Sequence, residues 1–119
     1  MSAGALVFVT AASEEQAALI ARVLVSERLA ACVNLLGPIR SIYRWQDQVQ
    51  DEPEHLMLIK TRARMVAKVE QRVRELHSYE VPEVIAVSIA GGSRPYLEWL
   101  MEATASTAPQ PKRPRAKRR

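Results

Sequence analysis

Apolar and polar positions follow two different periods along this chain, and the changes of period divide it into predicted elements. Residues 5–10 form a short run rich in β-branched and aromatic side chains, which is typical of a buried strand. Ser13 and Gln16 then make a capping box, and apolar residues recur at helical spacing to about Leu29. The first part of the chain therefore predicts a strand followed by a helix.

The middle of the chain predicts a long hairpin. Residues 31–45 have the pattern of one strand with an irregularity at residues 37–38, and residues 49–61 follow as the next strand after a short polar connection. Tyr43 and Trp45 are two positions apart, so their aromatic side chains are expected on one face of the hairpin.

The last part of the chain predicts two helices separated by a strand. Residues 66–76 have amphipathic helical spacing, residues 84–89 are a strand, and Ser93 caps a final helix. Right-handed crossovers turn this order into an α+β fold, the ferredoxin-like βαββαβ sandwich, with an additional C-terminal helix.

In that fold both crossover helices cover the same face of the sheet. The opposite face is wet in a monomer, and its residues are then expected to be polar. The third and fourth predicted strands are instead apolar on both faces. We therefore expect this face to pack against further copies of the chain in a homo-oligomer.

Composition excludes several classes of protein. The chain has 119 residues, enough for one domain, and 48% of them are hydrophobic, as in an ordinary globular protein. No apolar run approaches the ~20 residues of a membrane span, and no basic residue precedes the first apolar stretch as in a secretory signal. Cys32 is the single cysteine, so no intrachain disulfide forms and a cytoplasmic location is expected.

The positive net charge belongs to the C-terminus. Six of the 17 basic residues lie in residues 112–119, and the remaining 11 face 13 acidic residues, a balance of −2. The pattern predicts a domain at residues 1–103 and a basic, disordered tail at residues 104–119. The tail has two interpretations, a solubilising segment or a salt-sensitive contact with nucleic acid or acidic partners.

The polar segment at residues 77–83 is the best candidate for a site. Pro82 keeps it extended between a helix and a strand, so an imidazole, a phenol and two carboxylates are presented together. His77 is either a cation at a helix C-terminus, worth typically ~0.5 kcal/mol, or a metal ligand. With Glu80 it would make a weak, exchangeable site for a borderline metal ion.

Cys32 is the third candidate metal ligand. Its other interpretation is a buried small hydrophobic residue, since free cysteine is among the most buried types. No general base lies close to it in the sequence, and no nucleophile–base–orienter set is found, so an enzyme is not expected.

A ligand pocket is predicted where the polar segment approaches the hairpin. Its expected members are Tyr43, Lys60, Thr61, Tyr79 and Glu83. The lysine is expected either to pair with a carboxylate of the polar segment or to recognise an anion. 

Three further residues are expected at subunit interfaces, where aromatic and arginine side chains are the usual anchors: Arg44, Trp45 and Trp99. The second histidine of the chain, His55, is expected to be solvated.

Five collinear stretches resemble the CutA family over roughly residues 5–102. They are Arg28-Leu-Ala-Ala-Cys-Val-Asn34, Ser41-Ile-Tyr-Arg-Trp45, Leu58-Ile-Lys-Thr61, His77-x-Tyr-Glu-Val-Pro-Glu83 and Tyr96-Leu-x-Trp99. The resemblance implies a ferredoxin-like fold, a stable homotrimer similar in architecture to PII signalling proteins, and divalent metal tolerance with copper binding. Copper-binding members of this family have three ligands at the positions where this chain has Val9, Leu76 and His77, so one of the three ligands is present here.

These observations together predict a non-enzymatic cytoplasmic homotrimer for divalent metal tolerance. It is expected to bind copper, another divalent metal or a small ligand weakly at its subunit boundaries, with no obligatory cofactor. The alternative is a PII-like signalling or scaffold trimer without a metal role.

Overall fold

A computed structural model describes residues 3–105 and confirms the predicted order of elements. They are β1 (Gly4–Ala11), α1 (Glu14–Ser26), β2 (Cys32–Trp45), β3 (Gln48–Arg62), α2 (Val66–Leu76), β4 (Ile85–Ser88) and α3 (Arg94–Ala103), with a 3-10 turn at Ala63–Met65 before α2. None of the helices in this part of the chain is long and apolar enough to cross a membrane.

The four strands form one antiparallel sheet in the order β2-β3-β1-β4. One face carries the core beneath α1 and α2, and the large side chains fully buried there are Val7, Val9, Ile20, Leu24, Met57, Ile59, Val69 and Val73. Burial of such side chains contributes roughly 1.5–3 kcal/mol each before the entropy cost of folding. This arrangement confirms the ferredoxin-like sandwich.

Helix α1 begins as predicted and ends earlier. The Ser13 hydroxyl accepts a hydrogen bond from the Gln16 N–H at 3.1 Å, which caps the first turn. The helix ends at Ser26 and not near Leu29, because Arg28 takes a left-handed conformation with φ 63°. The Leu29 and Ala30 N–H groups then both bond to the Leu24 carbonyl and close the helix end.

The β2–β3 hairpin closes through a two-residue turn at Gln46 and Asp47. Both residues have positive φ, 52° and 64°, as a type I′ turn requires. The register shifts between Leu36 and Ile39, where the irregularity was predicted. Beyond the shift Tyr43 pairs with Gln50 and Trp45 with Gln48, which puts both aromatic residues on one face, as expected.

His55 is half-buried, so its predicted exposure to solvent is wrong. Its ring lies against Gly37, where an added Cβ would be 2.5 Å from the imidazole Cδ2. Only glycine fits at position 37, which lies within the register irregularity of β2 and against the His55 ring.

Helix α3 covers part of the face opposite the core. Leu100 is fully buried, and Arg62 at the end of β3 donates to the Thr104 hydroxyl at 3.0 Å and to the Met101 carbonyl at 2.5 Å. Thr104, the first residue assigned to the tail, is therefore buried. Ser93 precedes the helix, but its side chain makes none of the predicted capping hydrogen bonds.

The rest of that face remains open and apolar. Ile85 and Val87 on the edge strand β4 are 57% and 51% exposed, and Leu36 on β2 is also exposed. The apolar open face expected from the sequence is thus present, although α3 covers one end of it. The tail from residue 106 onward lies outside the described residues.

Candidate functional site

The predicted polar segment joins α2 to β4, and two long-range contacts fix its start. His77 ends α2 with extended backbone angles and is 9% exposed. Its Nε2 lies 2.7 Å from the Thr10 carbonyl oxygen, and its Nδ1 accepts a hydrogen bond from the Tyr79 N–H at 3.0 Å. A carbonyl only accepts and an N–H only donates, so the ring is the neutral Nε2–H tautomer.

The second contact uses the glutamine of the predicted capping box. The Gln16 side-chain oxygen accepts a hydrogen bond from the Ser78 N–H at 2.8 Å. The side chain therefore ties α1 to the polar segment, while the Gln16 N–H takes part in capping the helix. The local pattern predicted the cap, but the partner 62 residues away follows only from the fold.

A groove of about 590 Å³ opens between the polar segment and the β2–β3 hairpin, on the open face of the sheet. Its aromatic lining consists of Tyr43, Trp45 and Tyr79, and its carboxylates are Glu54, Glu80 and Glu83. The volume lies in the range of small-molecule pockets. We refer to this feature as the acidic groove.

Glu54 is a groove residue that the sequence did not indicate. It is 7% exposed, and its Oε2 accepts a hydrogen bond from the Tyr79 hydroxyl at 2.8 Å. In the sequence it is one of three acidic residues in the first half of the third predicted strand. Nothing in the local pattern distinguishes it, because its partner Tyr79 lies 25 positions away in the chain.

Two phenols of the acidic groove donate to carboxylates, which raises their pKa values. The Tyr43 hydroxyl donates to Glu52 Oε1 at 2.7 Å, and this bond is the main cause of its raised pKa. For Tyr79 burial is the larger cause, followed by the hydrogen bond to Glu54. Both phenols therefore remain donors at neutral pH.

The pKa of Glu83 is also raised, first by burial and then by the negative charge of Glu54. The Glu83 carboxyl consequently binds its proton more tightly in the folded chain than in the unfolded chain. The contribution of this protonation to the free energy of unfolding is fully present below the ordinary pKa of 4.5, and it is lost as the pH rises through the folded pKa.

We therefore expect the Glu83→Gln variant, which cannot titrate at this position, to gain stability relative to the natural chain as the pH rises above about 4.5 towards neutrality. Urea unfolding of both proteins at a series of pH values measures this difference. A difference that stays constant with pH would contradict the assigned shift.

The groove carboxylates have no basic partner within salt-bridge distance in the described part of the chain. The ion pairs present there are Arg40–Asp51, Arg72–Glu27, Arg72–Glu75 and Arg74–Glu70, all on exposed surfaces. The groove is therefore a negatively charged, aromatic-lined concavity.

Two residues predicted for the pocket lie elsewhere. Lys60 pairs with Leu6 near the opposite end of β1, and its Nζ is 5.7 Å from the centre of the Tyr96 ring on α3. Within one chain this lysine therefore lies too far along the sheet to pair with Glu80 or Glu83. Thr61 is fully buried on the core face and donates to the Leu29 carbonyl at 2.6 Å.

The three predicted metal ligands do not converge either. Cys32 pairs with Lys60, whereas Thr10, which holds His77, pairs with Leu56. Four residues along β3 correspond to roughly 13 Å. Residues 3–105 contain no group of three or more histidine, cysteine or acidic side chains arranged to hold a metal ion.

The remaining candidates were expected at interfaces and lie in two places. Arg44 and Trp45 are exposed near the hairpin tip, and the tryptophan lines the acidic groove. Trp99 is half-buried on α3, where its ring centre lies 5.3 Å from that of Tyr96.

Comparisons with known proteins agree with the fold. The family model described as CutA1 divalent ion tolerance protein matches residues 5–103. The divalent-cation tolerance protein CutA of Thermus thermophilus is 50% identical over 99 residues, covering 83% of this chain and 96% of the relative.

Two further relatives differ in their described location. The chloroplastic protein CutA of Arabidopsis thaliana is 44% identical over 99 residues, covering 83% of this chain and 54% of the relative, so this chain spans about half of its length. The structure of the periplasmic divalent cation tolerance protein CutA from Archaeoglobus fulgidus superposes with a TM-score of 0.83 at 35% identity, covering 86% of this chain and 99% of the other.

The family match and these identities establish that the chain belongs to the CutA1 divalent ion tolerance family. The descriptions of the family, of the Thermus thermophilus relative and of the Archaeoglobus fulgidus protein name tolerance of divalent ions or cations and no enzymatic activity.

Proposed function

We propose that this protein is a non-enzymatic homotrimer that contributes to divalent metal tolerance by binding metal ions weakly in the acidic groove. The observation that carries the proposal is a group of carboxylates along one concavity, Glu54, Glu80 and Glu83, for which residues 3–105 provide no ion-pair partner. The described part of each chain supplies too few convergent ligands for a tight site, and this favours weak, exchangeable binding.

The side chains of the groove favour metal ions that bind oxygen ligands. Both nitrogens of His77 already have hydrogen-bond partners, and Cys32 lies at the other end of the sheet. Carboxylate oxygens suit hard or borderline divalent ions, whereas Cu(I) prefers sulfur. We therefore propose Cu(II) or another divalent ion as the cargo of the groove, and no obligatory cofactor.

The trimer and the location are part of the same proposal. The exposed apolar side chains of Ile85 and Val87 support burial against another copy, and β2 and β4 are the two free edges of the sheet. The resemblance in sequence implies three subunits. The free thiol of Cys32 supports a reducing, cytoplasmic location.

Calorimetric titration of the full chain with Cu(II), Zn(II) and Mn(II) tests metal binding. We expect dissociation constants of roughly 10 μM to 1 mM and about a tenfold loss of affinity, equal to about 1.4 kcal/mol, in the Glu80→Gln/Glu83→Gln variant. Glu70→Gln, an acidic residue of α2 outside the groove, is the matched control. Absence of heat with all three ions, or equal affinities in the variants, would refute the proposal.

A second candidate function is that of a PII-like signalling or scaffold trimer. The aromatic lining by Tyr43, Trp45 and Tyr79 favours it, because such surfaces suit small organic ligands. The titration separates the two functions, since a purely organic ligand site gives no heat with metal ions alone.

A further inference from the structure

We propose that the contact between the His55 ring and the backbone of Gly37 sets the direction of the hairpin arm, and through it the width of the acidic groove. The hairpin arm is defined as residues 39–54, the half of the β2–β3 hairpin that carries Tyr43 and Trp45. The inference rests on the proposed function in that it takes the groove as the site. It gives His55 and Gly37 a positioning role that needs no contact with a metal ion.

The hairpin arm lacks the support that holds the rest of the hairpin. Strand β1 pairs with β3 from Arg62 to His55 and ends at Ala11, so residues 48–54 have β2 as their only neighbouring strand within the described residues. A two-stranded ribbon is marginally stable by itself. The direction of the arm therefore depends on the contacts at its base.

The register shift of β2 lies at the level where β1 ends. Residues 37 and 38 of β2 together lie opposite one residue of β3, His55, which is also where the pairing of β3 with β1 ends. A bulge of this kind bends its strand, and bulges next to functional sites redirect side chains. The bend in β2 is thus located where the third strand stops.

The close approach of Gly37 to the His55 ring limits this bend. A Cβ at position 37 would lie 2.5 Å from the imidazole Cδ2 and 2.8 Å from Cγ, so the backbone rests directly on the ring. The ring is half-buried, and its Nδ1 is buried without a hydrogen-bond partner in residues 3–105. Packing therefore holds the ring in place, and the size of the ring limits how far the arm tilts.

The groove converts the direction of the arm into a width. One wall is the polar segment, which two long-range hydrogen bonds fix to the body of the chain, and the other wall is the arm with Tyr43 and Trp45. In residues 3–105 the only side-chain hydrogen bond between the arm and another element is Tyr79–Glu54, at the base of the arm. Six positions separate residue 39 from Trp45, about 20 Å, so a tilt of about 10° moves the tryptophan by roughly 3.5 Å.

Assembly leaves the contact in place. His55 pairs with Ala11, which is fully buried on the core face, so the imidazole lies on that face as well. The proposed interface with another copy uses the opposite, open face of the sheet. The contribution of the ring and that of a neighbouring copy are therefore separable by substitution.

Fluorine NMR of the full chain labelled with 5-fluorotryptophan measures the position of the arm. The chain has two tryptophans, Trp45 on the arm and Trp99 on α3, so the second resonance is an internal control, and Trp99→Phe assigns the two. We expect His55→Ala and Gly37→Ala to shift the Trp45 resonance alone, because the arm moves relative to the polar segment. His55→Phe, which retains a flat ring, is expected to shift neither resonance.

A double-mutant cycle on metal affinity tests whether the two residues act through each other. Calorimetric titration with Zn(II) is expected to show binding weakened at least about fivefold in Gly37→Ala and in His55→Ala, because the two walls of the groove no longer keep their distance. In the His55→Ala background Gly37→Ala is expected to cause little further loss, since the ring that its methyl group would strike is absent. His55→Phe is expected to keep the natural affinity.

Two results would overturn the proposal. One is an unchanged Trp45 resonance in both alanine variants at the sedimentation coefficient of the natural chain, because contacts with another copy would then set the direction of the arm. The other is an equal effect of Gly37→Ala with and without the ring, since the glycine would then act through its own backbone. A natural chain that gives no heat with metal ions refutes the proposed function, while the fluorine spectra still decide the role of this contact.

Discussion

Replacing His77 by alanine is expected to lower the free energy of unfolding by about 3 kcal/mol per chain. The substitution removes a buried ring and leaves two backbone groups, the buried Thr10 carbonyl and the partly buried Tyr79 N–H, without their partners. Loss of these bonds also detaches the start of the polar segment from β1. Metal affinity is expected to change less than in the groove variants, because neither ring nitrogen is free to bind a metal.

Guanidinium unfolding at one fixed protein concentration, without added metal, measures this effect. The matched control is His55→Ala, which removes the other histidine of the chain. Its ring is half-buried and its Nδ1 has no hydrogen-bond partner among the described residues, so a smaller loss is expected. An unchanged stability of His77→Ala together with lost metal binding would instead identify the histidine as a metal ligand.

Replacing Val87 by glutamate is expected to weaken self-association at least about 100-fold, equal to roughly 3 kcal/mol. The side chain is 51% exposed on the edge strand β4, so a carboxylate there is tolerated in an isolated chain. In the proposed trimer the same position is buried against another copy, where an unpaired charge is costly. The variant is therefore expected to separate assembly from folding.

Sedimentation velocity over a range of protein concentrations measures the association. Leu19→Glu is the matched control, because Leu19 on α1 is 50% exposed and lies outside the open face. We expect the control to sediment as the natural chain does and Val87→Glu to sediment as a monomer at micromolar concentration. A natural chain that is itself monomeric would exclude the trimer, and equal association of both variants would exclude this face as the interface.

Local signals in the sequence account for most of the fold. The Ser13 cap, the helical spacing of residues 66–76 and the position of the β2–β3 turn are all found where the pattern predicts them. These features depend on a few neighbouring residues, so the sequence contains them directly. The predicted end of α1 was too late, because the helix ends before Arg28, which has a left-handed conformation. Arginine rarely adopts this conformation, so the sequence does not indicate it.

The candidate site was predicted only in part. Tyr43, Tyr79 and Glu83 line one groove as the sequence suggested, with Glu80 beside them. Lys60 and Thr61 were assigned to the same pocket because they end an apolar strand. Within one chain they lie apart from the groove, because they pair with the first residues of β1 whereas the groove residue Thr10 lies near its other end.

The sequence by itself determined the elements, their order, the acidic body with a basic terminus, and the resemblance to one family. Only the tertiary structure decided what the polar segment does. Three of its hydrogen bonds to other elements join residues far apart in the chain. They are His77–Thr10 with a separation of 67 positions, Gln16–Ser78 with 62 and Tyr79–Glu54 with 25. Periodicity and capping act over a few residues, whereas these hydrogen bonds exist only after the sheet has set its register. The segment thus proved to be a buried anchor at His77 and one wall of an acidic groove beyond it.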